Sequence, residues 1–190
     1  MALDKHEYIE KMELLLADSN TYENLRRNPV NKIITKLKLL LKSWKYYGYL
    51  SDCSYNNLNC TTPILPLAYG LPKILKVGCP LRIIVSSVGS PLHNLGSFLY
   101  KIISKSLPPA NSSIVNSYFL MKKVSNLTIP AKASLLSLDV ISLFTNVPID
   151  LILDGISNRW FLIENNTNIS KTEFFRTLKL VVNFTFFMFN

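Results

Sequence analysis

Residues 69–86, YGLPKILKVGCPLRIIVS, decide the architecture. Glycine and proline punctuate the chain at Gly70, Pro72, Gly78 and Pro80. Lysines stand between them at Lys73 and Lys76, and a β-branched run follows over 82–86. Two Pro/Gly-bounded pieces leading into such a run predict a β-hairpin whose tip and flanks are basic. Arg82 opens the second strand, held stiffly beside Ile83 and Ile84. Its planar guanidinium suits forked contacts to phosphate oxygens. Read alone, it fits a salt bridge or a solvent-facing position equally well.

On the N-terminal side, the spacing predicts an amphipathic helix over 4–17 with Tyr8, Met12, Leu15 and Leu16 on one stripe, closed by the turn formers Asp18-Ser19-Asn20. A second helix is expected over 31–45, with Ile33, Leu37, Leu40, Leu41 and Trp44 inward. Lys32, Lys36, Lys42 and Lys45 fall mostly off that stripe, either as a solvated face or as a track for a phosphate backbone. The Asn-, Ser- and Tyr-rich stretch 46–66 reads as a connector.

On the C-terminal side, Ser90-Pro91 reads as an N-cap and first helical position for a helix to about Lys105, burying Leu92, Leu95, Leu99, Ile102 and Ile103. His93, without an acid at ligand spacing, reads as structural. A helix is expected over 112–124. Next comes ASLLSLDVISLFTNVP at 133–148, where Leu136, Leu138 and Val140 alternate with Ser137 and Asp139. The alternation predicts a buried strand that delivers a carboxylate at its C-terminal end. Such an acid serves either as a metal ligand in a cleft or as a cap for the next turn. Pro148 and Asp150 begin a helix with Ile149, Ile152, Leu153, Ile156 and Trp160 inward. A last helix, over 171–181, runs into the strand-like FTFFMF. Helices and strands mix without a βαβα rhythm, so the expected class is α+β.

The 190 residues carry a net charge of +9 and are 48% hydrophobic, enough for a packed core. The charge is uneven. Residues 1–50 carry nine Lys/Arg against six Asp/Glu, residues 51–130 seven against one, and residues 131–190 five against five. A basic region beside a neutral, carboxylate-bearing one suggests a polyanionic partner, nucleic acid first; a merely basic protein shares that pattern. Cys53, Cys60 and Cys79 form no CxxC pair and have no His cluster beside them, which argues against structural zinc and fits reduced thiols. The N-terminus is too charged for a signal peptide, and the apolar end is too short to span a bilayer. The N-x-S/T sequons at Asn59, Asn111, Asn126, Asn165, Asn168 and Asn183 then follow from an Asn-rich composition. An intracellular protein is expected.

Three stretches together resemble a reverse transcriptase of the Penelope-like retroelement type, related to telomerase and other right-hand polymerases. YGLPKILKVGCPLRIIVSSVGSPLHNL (69–95) resembles that family's finger block, written near YGLPKIHKPGxPLRPIVSSxGSPxYNL. SLDVISLFTNVP (137–148) resembles its first palm motif, and TYENLRRNP (21–29) with LLKSWKYYGYL (40–50) resembles its lead-in. The resemblance covers most of residues 8–190. It departs at Leu75, where the family has His, and at Val77 and Ile83, where it has Pro. A lost proline frees a preset backbone angle.

The resemblance implies a partial right-hand polymerase: helical lead-in and connector over 1–60, basic fingers over 61–130, and a partial palm over 131–190. It implies RNA-directed DNA synthesis with an RNA template, a DNA primer and dNTPs as partners, no membrane, and two Mg²⁺ ions in the complete enzyme. Asp139 would be the first catalytic carboxylate and ligand to both ions, and Val140 would offer its backbone carbonyl. Phe144 would lie under the incoming sugar and exclude a 2′-hydroxyl; from spacing alone it reads as a core aromatic. Arg82 and Lys73 would reach the incoming triphosphate, and Pro148 and Asp150 would begin the palm helix. The family's template motif and the acid pair of its YxDD turn do not occur in these residues, so the expectation is a fragment, inactive as this chain. A noncatalytic nucleic-acid-binding remnant and a decayed copy without function are the alternatives.

Overall fold

The computed structural model describes residues 4–128, 130, 132–134, 136–139 and 146–189. Among the described residues, helices accompany one two-stranded antiparallel sheet, so the class is mixed α+β as expected. In chain order the helices are α1 (Lys5–Leu16), α2 (Val30–Tyr46) and α3 (Asp52–Leu58), followed by the strands β1 (Leu67–Pro72) and β2 (Leu81–Ser86). Next are α4 (His93–Ser106), α5 (Ser117–Val124), α6 (Ile149–Ser157), α7 (Trp160–Ile163) with a 3₁₀ turn at Glu164–Asn166, and α8 (Lys171–Val182).

The core lies among α2, α4 and α6–α8. Leu37, Leu40, Leu41 and Trp44 of α2 meet Leu95 and Leu99 of α4 and Leu153, Ile156, Trp160, Ile163, Phe174 and Leu178 from the C-terminal helices. All of these but Ile163, Phe174 and Leu178 are inward positions that helical spacing predicts. Trp160 stacks edge-on against Phe174 with ring centroids 5.2 Å apart, a geometry that aromatic quadrupoles favour. The buried indole N–H of Trp44 donates to Glu173 Oε2 at 3.3 Å, tying α2 to α8. Ser170 caps α8 by accepting from the Glu173 N–H, and that glutamate is the acid of its first turn.

Several elements differ from their sequence-based expectation. The connector contains α3, because Ser51 accepts from the Ser54 N–H as N-cap and Asp52 supplies an acid to the first turn. Ser90 does not cap α4. Its backbone carbonyl accepts from His93, and its hydroxyl is buried without a hydrogen-bond partner, so the helix begins two residues after Pro91. The helix expected from 112 begins at Ser117, where Asn116 accepts from the Phe119 N–H at 2.9 Å and so sets the start. In α1, Leu15 faces solvent, while Met12 is sealed inside.

The strand expected before Asp139 does not form over the described residues 132–134 and 136–139, and Leu136 and Leu138 are 81% and 85% exposed. A strand exists only through a partner ladder, and no described segment pairs with this one. Alternation fixes which side chains share a face; it does not supply the neighbour. The apolar tail is likewise no strand, yet it makes one parallel bridge, Leu67 to Met188, with Ala68 N–H donating to the Met188 carbonyl and Met188 N–H to that of Pro66. The tail therefore returns to the start of β1, and Phe187 meets Tyr22 edge-on at 5.8 Å.

Candidate functional site

The hairpin forms as its punctuation predicts. β1 and β2 pair in register from Leu67 opposite Ser86 to Pro72 opposite Leu81. Beyond the last pair, Lys73 N–H donates to the Pro80 carbonyl at 2.9 Å, and Cys79 N–H to that of Lys76. Gly78 (φ 74°) and Cys79 (φ 44°) turn the chain through the left-handed region, which glycine enters freely and cysteine only at a cost.

Strand alternation divides the hairpin into two faces. Ala68, Gly70 and Leu81 are buried against α1. Gly70 leaves room there: a Cβ would stand 2.7 Å from Met12 Sδ and 2.9 Å from Leu81 Cδ1, so both side chains would have to shift. The same residue donates its N–H to Tyr8 Oη at 2.7 Å, and Lys11 Nζ reaches the Gly78 carbonyl at 3.4 Å. Helix α1 is thus a splint along the inner face.

The outer face is open. Leu67, Tyr69 and Leu71 are exposed, and Arg82, directly opposite Leu71, is exposed with them. Lys73 follows two residues after Leu71 and is half-buried. The hairpin therefore brings Arg82 and Lys73 to the same, tip-proximal end. Neither cation makes a side-chain hydrogen bond or ion pair with another described residue; the ion pairs among the described residues are Lys11–Glu7, Lys45–Asp52 and Arg176–Glu173, and His6 Nδ1 lies 3.3 Å from Glu10 Oε1. Free guanidinium and ammonium groups beside an exposed aromatic ring can take phosphate oxygens and stack a base. Tyr69 was not singled out from sequence, although the Leu67–Tyr69–Leu71 alternation places it on the arginine's face.

Asp139 is exposed and likewise has no hydrogen bond or ion pair with a described residue, so none joins it to Arg82 or Lys73. Val140 and Phe144 lie outside the described residues. Pro148 and Asp150 begin α6 as expected, with Pro148 at the N-cap and Asp150 in the first turn. A carboxylate is the hard oxygen ligand that Mg²⁺ takes. Among the described residues, however, no three His, Cys, Asp or Glu side chains come together. One exposed carboxylate does not make up a two-ion site, and further ligands would have to join it. No helix among the described residues is long and apolar enough to cross a membrane.

Compared with protein-family models, with curated proteins and with solved structures, the chain matches none.

Proposed function

We propose that this chain supplies the fingers hairpin and the first palm carboxylate of an RNA-directed DNA polymerase of the Penelope-like type, a nucleotidyltransferase with a right-hand architecture. The supporting observation is the hairpin register. It sets Arg82 on an exposed face, at the tip-proximal end shared with Lys73, and neither makes an ion pair with a described carboxylate. In this reading Arg82 forks onto the triphosphate of an incoming dNTP and Lys73 adds a point charge. Asp139 contributes one oxygen ligand toward Mg²⁺ beside the Val140 carbonyl, and Phe144 lies under the sugar. The RNA template and DNA primer are the macromolecular partners, and a nuclear location follows from that role.

The test is primer extension on an RNA template with Mg²⁺ and dNTPs, by this chain joined to a polypeptide carrying the remaining palm carboxylates. Extension is expected, with loss on Asp139→Ala and about a tenfold rise in the dNTP KM on Arg82→Ala, in the range of one charge-assisted contact. Extension that survives Asp139→Ala sinks the proposal. The free cations also favour a second reading, a noncatalytic binder of RNA or RNA–DNA duplex. Its mark is binding that weakens steeply with salt and persists in Asp139→Ala.

A further inference from the structure

A second basic surface lies away from the hairpin, on the outward face of α2. That helix contains Lys32, Lys36, Lys38, Lys42 and Lys45 and no acidic residue. Lys38, Lys42 and Tyr46 follow one another at i, i+4 and i+8, so they form one row along the helix. All three are exposed. Lys45 is already answered: Asp52 lies 2.6 Å away and raises the pKa of its ammonium by hydrogen bonding and charge. Lys38 and Lys42 have no ion pair with any described residue.

The row ends in an aromatic ladder fixed by the helix terminus. Gly48 takes φ 72°, its N–H donates to the Lys45 carbonyl, and the Tyr49 N–H donates to that of Trp44. Those paired bonds with a left-handed glycine form a Schellman close, which folds the chain back over the last turn. Tyr49 thereby returns to Tyr47, with ring centroids 5.9 Å apart and planes 34° apart. Tyr46 meets Tyr47 edge-on at 5.3 Å. Tyr46 is 85% exposed and Tyr47 61%, while Tyr49 packs against the core and anchors the set. Lysines leading into open aromatic rings suit a strand of alternating phosphates and bases.

We infer that the outward face of α2 and its tyrosine ladder bind single-stranded nucleic acid, with Lys38 and Lys42 on phosphates and Tyr46 and Tyr47 stacking bases. The inference is independent of the hairpin: it holds or fails whatever Arg82 binds. The experiment measures fluorescence anisotropy of a labelled oligouridylate of about ten nucleotides, a typical site size for such surfaces, across a salt series on the full chain. The Tyr46→Ala, Tyr47→Ala double variant is expected to weaken binding about tenfold or more, and the corresponding Phe pair to retain it. Lys38→Gln with Lys42→Gln is expected to flatten the log–log salt slope by about 1.4. Arg82→Ala with Lys73→Ala, run in parallel, measures the share of binding that the hairpin carries, and the tenfold loss from the tyrosine pair is expected to be undiminished in that background. The inference is overturned if the alanine pair binds as tightly as the parent. It is also overturned if only the hairpin variant loses affinity, or if polyglutamate displaces the oligonucleotide equally well at equal charge. All substituted side chains other than Lys73 are exposed, and thermal melts confirm that each variant is folded.

Discussion

Leu37, Trp44, Leu99 and Phe174 are sealed inside the helical core, whereas Leu67, Tyr69 and Leu71 lie open on the outer face of the hairpin. The hairpin strands are at least as apolar as these helices, so composition does not account for which of them is buried. The difference is how each element meets its hydrogen-bonding need. A helix satisfies its backbone internally and is free to turn its apolar stripe toward others. A two-stranded ribbon turns alternate side chains to two faces, and a single helix packed against it covers only one of them. Here α1 covers one face through Met12 and Tyr8, and the other remains open. The exposed apolar side chains on that face, with Arg82 among them, are the part of the hairpin that the described fold leaves uncovered.

The sharpest way to break the contrast is inside the core. Phe174 is fully buried and contacts Trp160 and Phe175. Phe174→Ala is expected to cost about 3–5 kcal/mol, read as a large fall in the midpoint of denaturant unfolding. A Leu71→Ala change on the open face is expected to stay within about 0.5 kcal/mol. Equal losses at the two positions would mean that the hairpin's outer face is covered by the fold after all.

A middle-sized effect belongs to the seam between the regions. Gly70→Ala puts a methyl against Met12 Sδ and the side chain of Leu81, an overpacking expected to cost about 1–3 kcal/mol. The loss should be local. Hydrogen exchange should quicken at amides of α1 and residues 67–86 while those of α8 keep their protection. Uniform loss of protection would show that splint and core unfold as one unit.

Gly48→Ala tests the other glycine on which geometry depends. No atom lies within 4 Å of the added Cβ, so only the positive φ of 72° resists it. The expected cost is about 1–2 kcal/mol, with weaker oligouridylate binding because the ladder loses its fixed end. A cost without loss of binding would separate the helix close from the ladder.

The helices of the core were legible because a 3.6-residue stripe states both the element and its inward face; Ile33, Leu37, Leu40, Leu41 and Trp44 all pack as read. The hairpin was legible because Gly and Pro mark its bounds. Ser90-Pro91 misled, since a hydroxyl before proline is a capping signal only if the backbone turns into the helix there, and here the Ser87–Ser90 turn intervenes. The segment before Asp139 misled for a different reason: alternation describes one strand, and strand formation depends on a second. The candidate site was half legible. The register brings Arg82 and Lys73 to the tip-proximal end of the hairpin, but Asp139 shows no bonded partner among the described residues, and Tyr69, which carries no charge, stands exposed on the face of Arg82.

The smallest effect on stability, and the finest test of the open face, is Arg82→Lys. Arg82 is exposed and has no ion pair with a described residue, so the change is expected to move stability by less than about 0.5 kcal/mol. The charge is kept, so general attraction to polyanions should survive with an unchanged salt slope. What lysine cannot reproduce is the planar fork that grips two phosphate oxygens at once. Binding of a deoxynucleoside triphosphate should therefore weaken severalfold while binding of a long single strand does not. If the lysine variant binds the triphosphate as well as the parent, the outer face of the hairpin is a charged surface, and the case for a shaped nucleotide site at Arg82 falls.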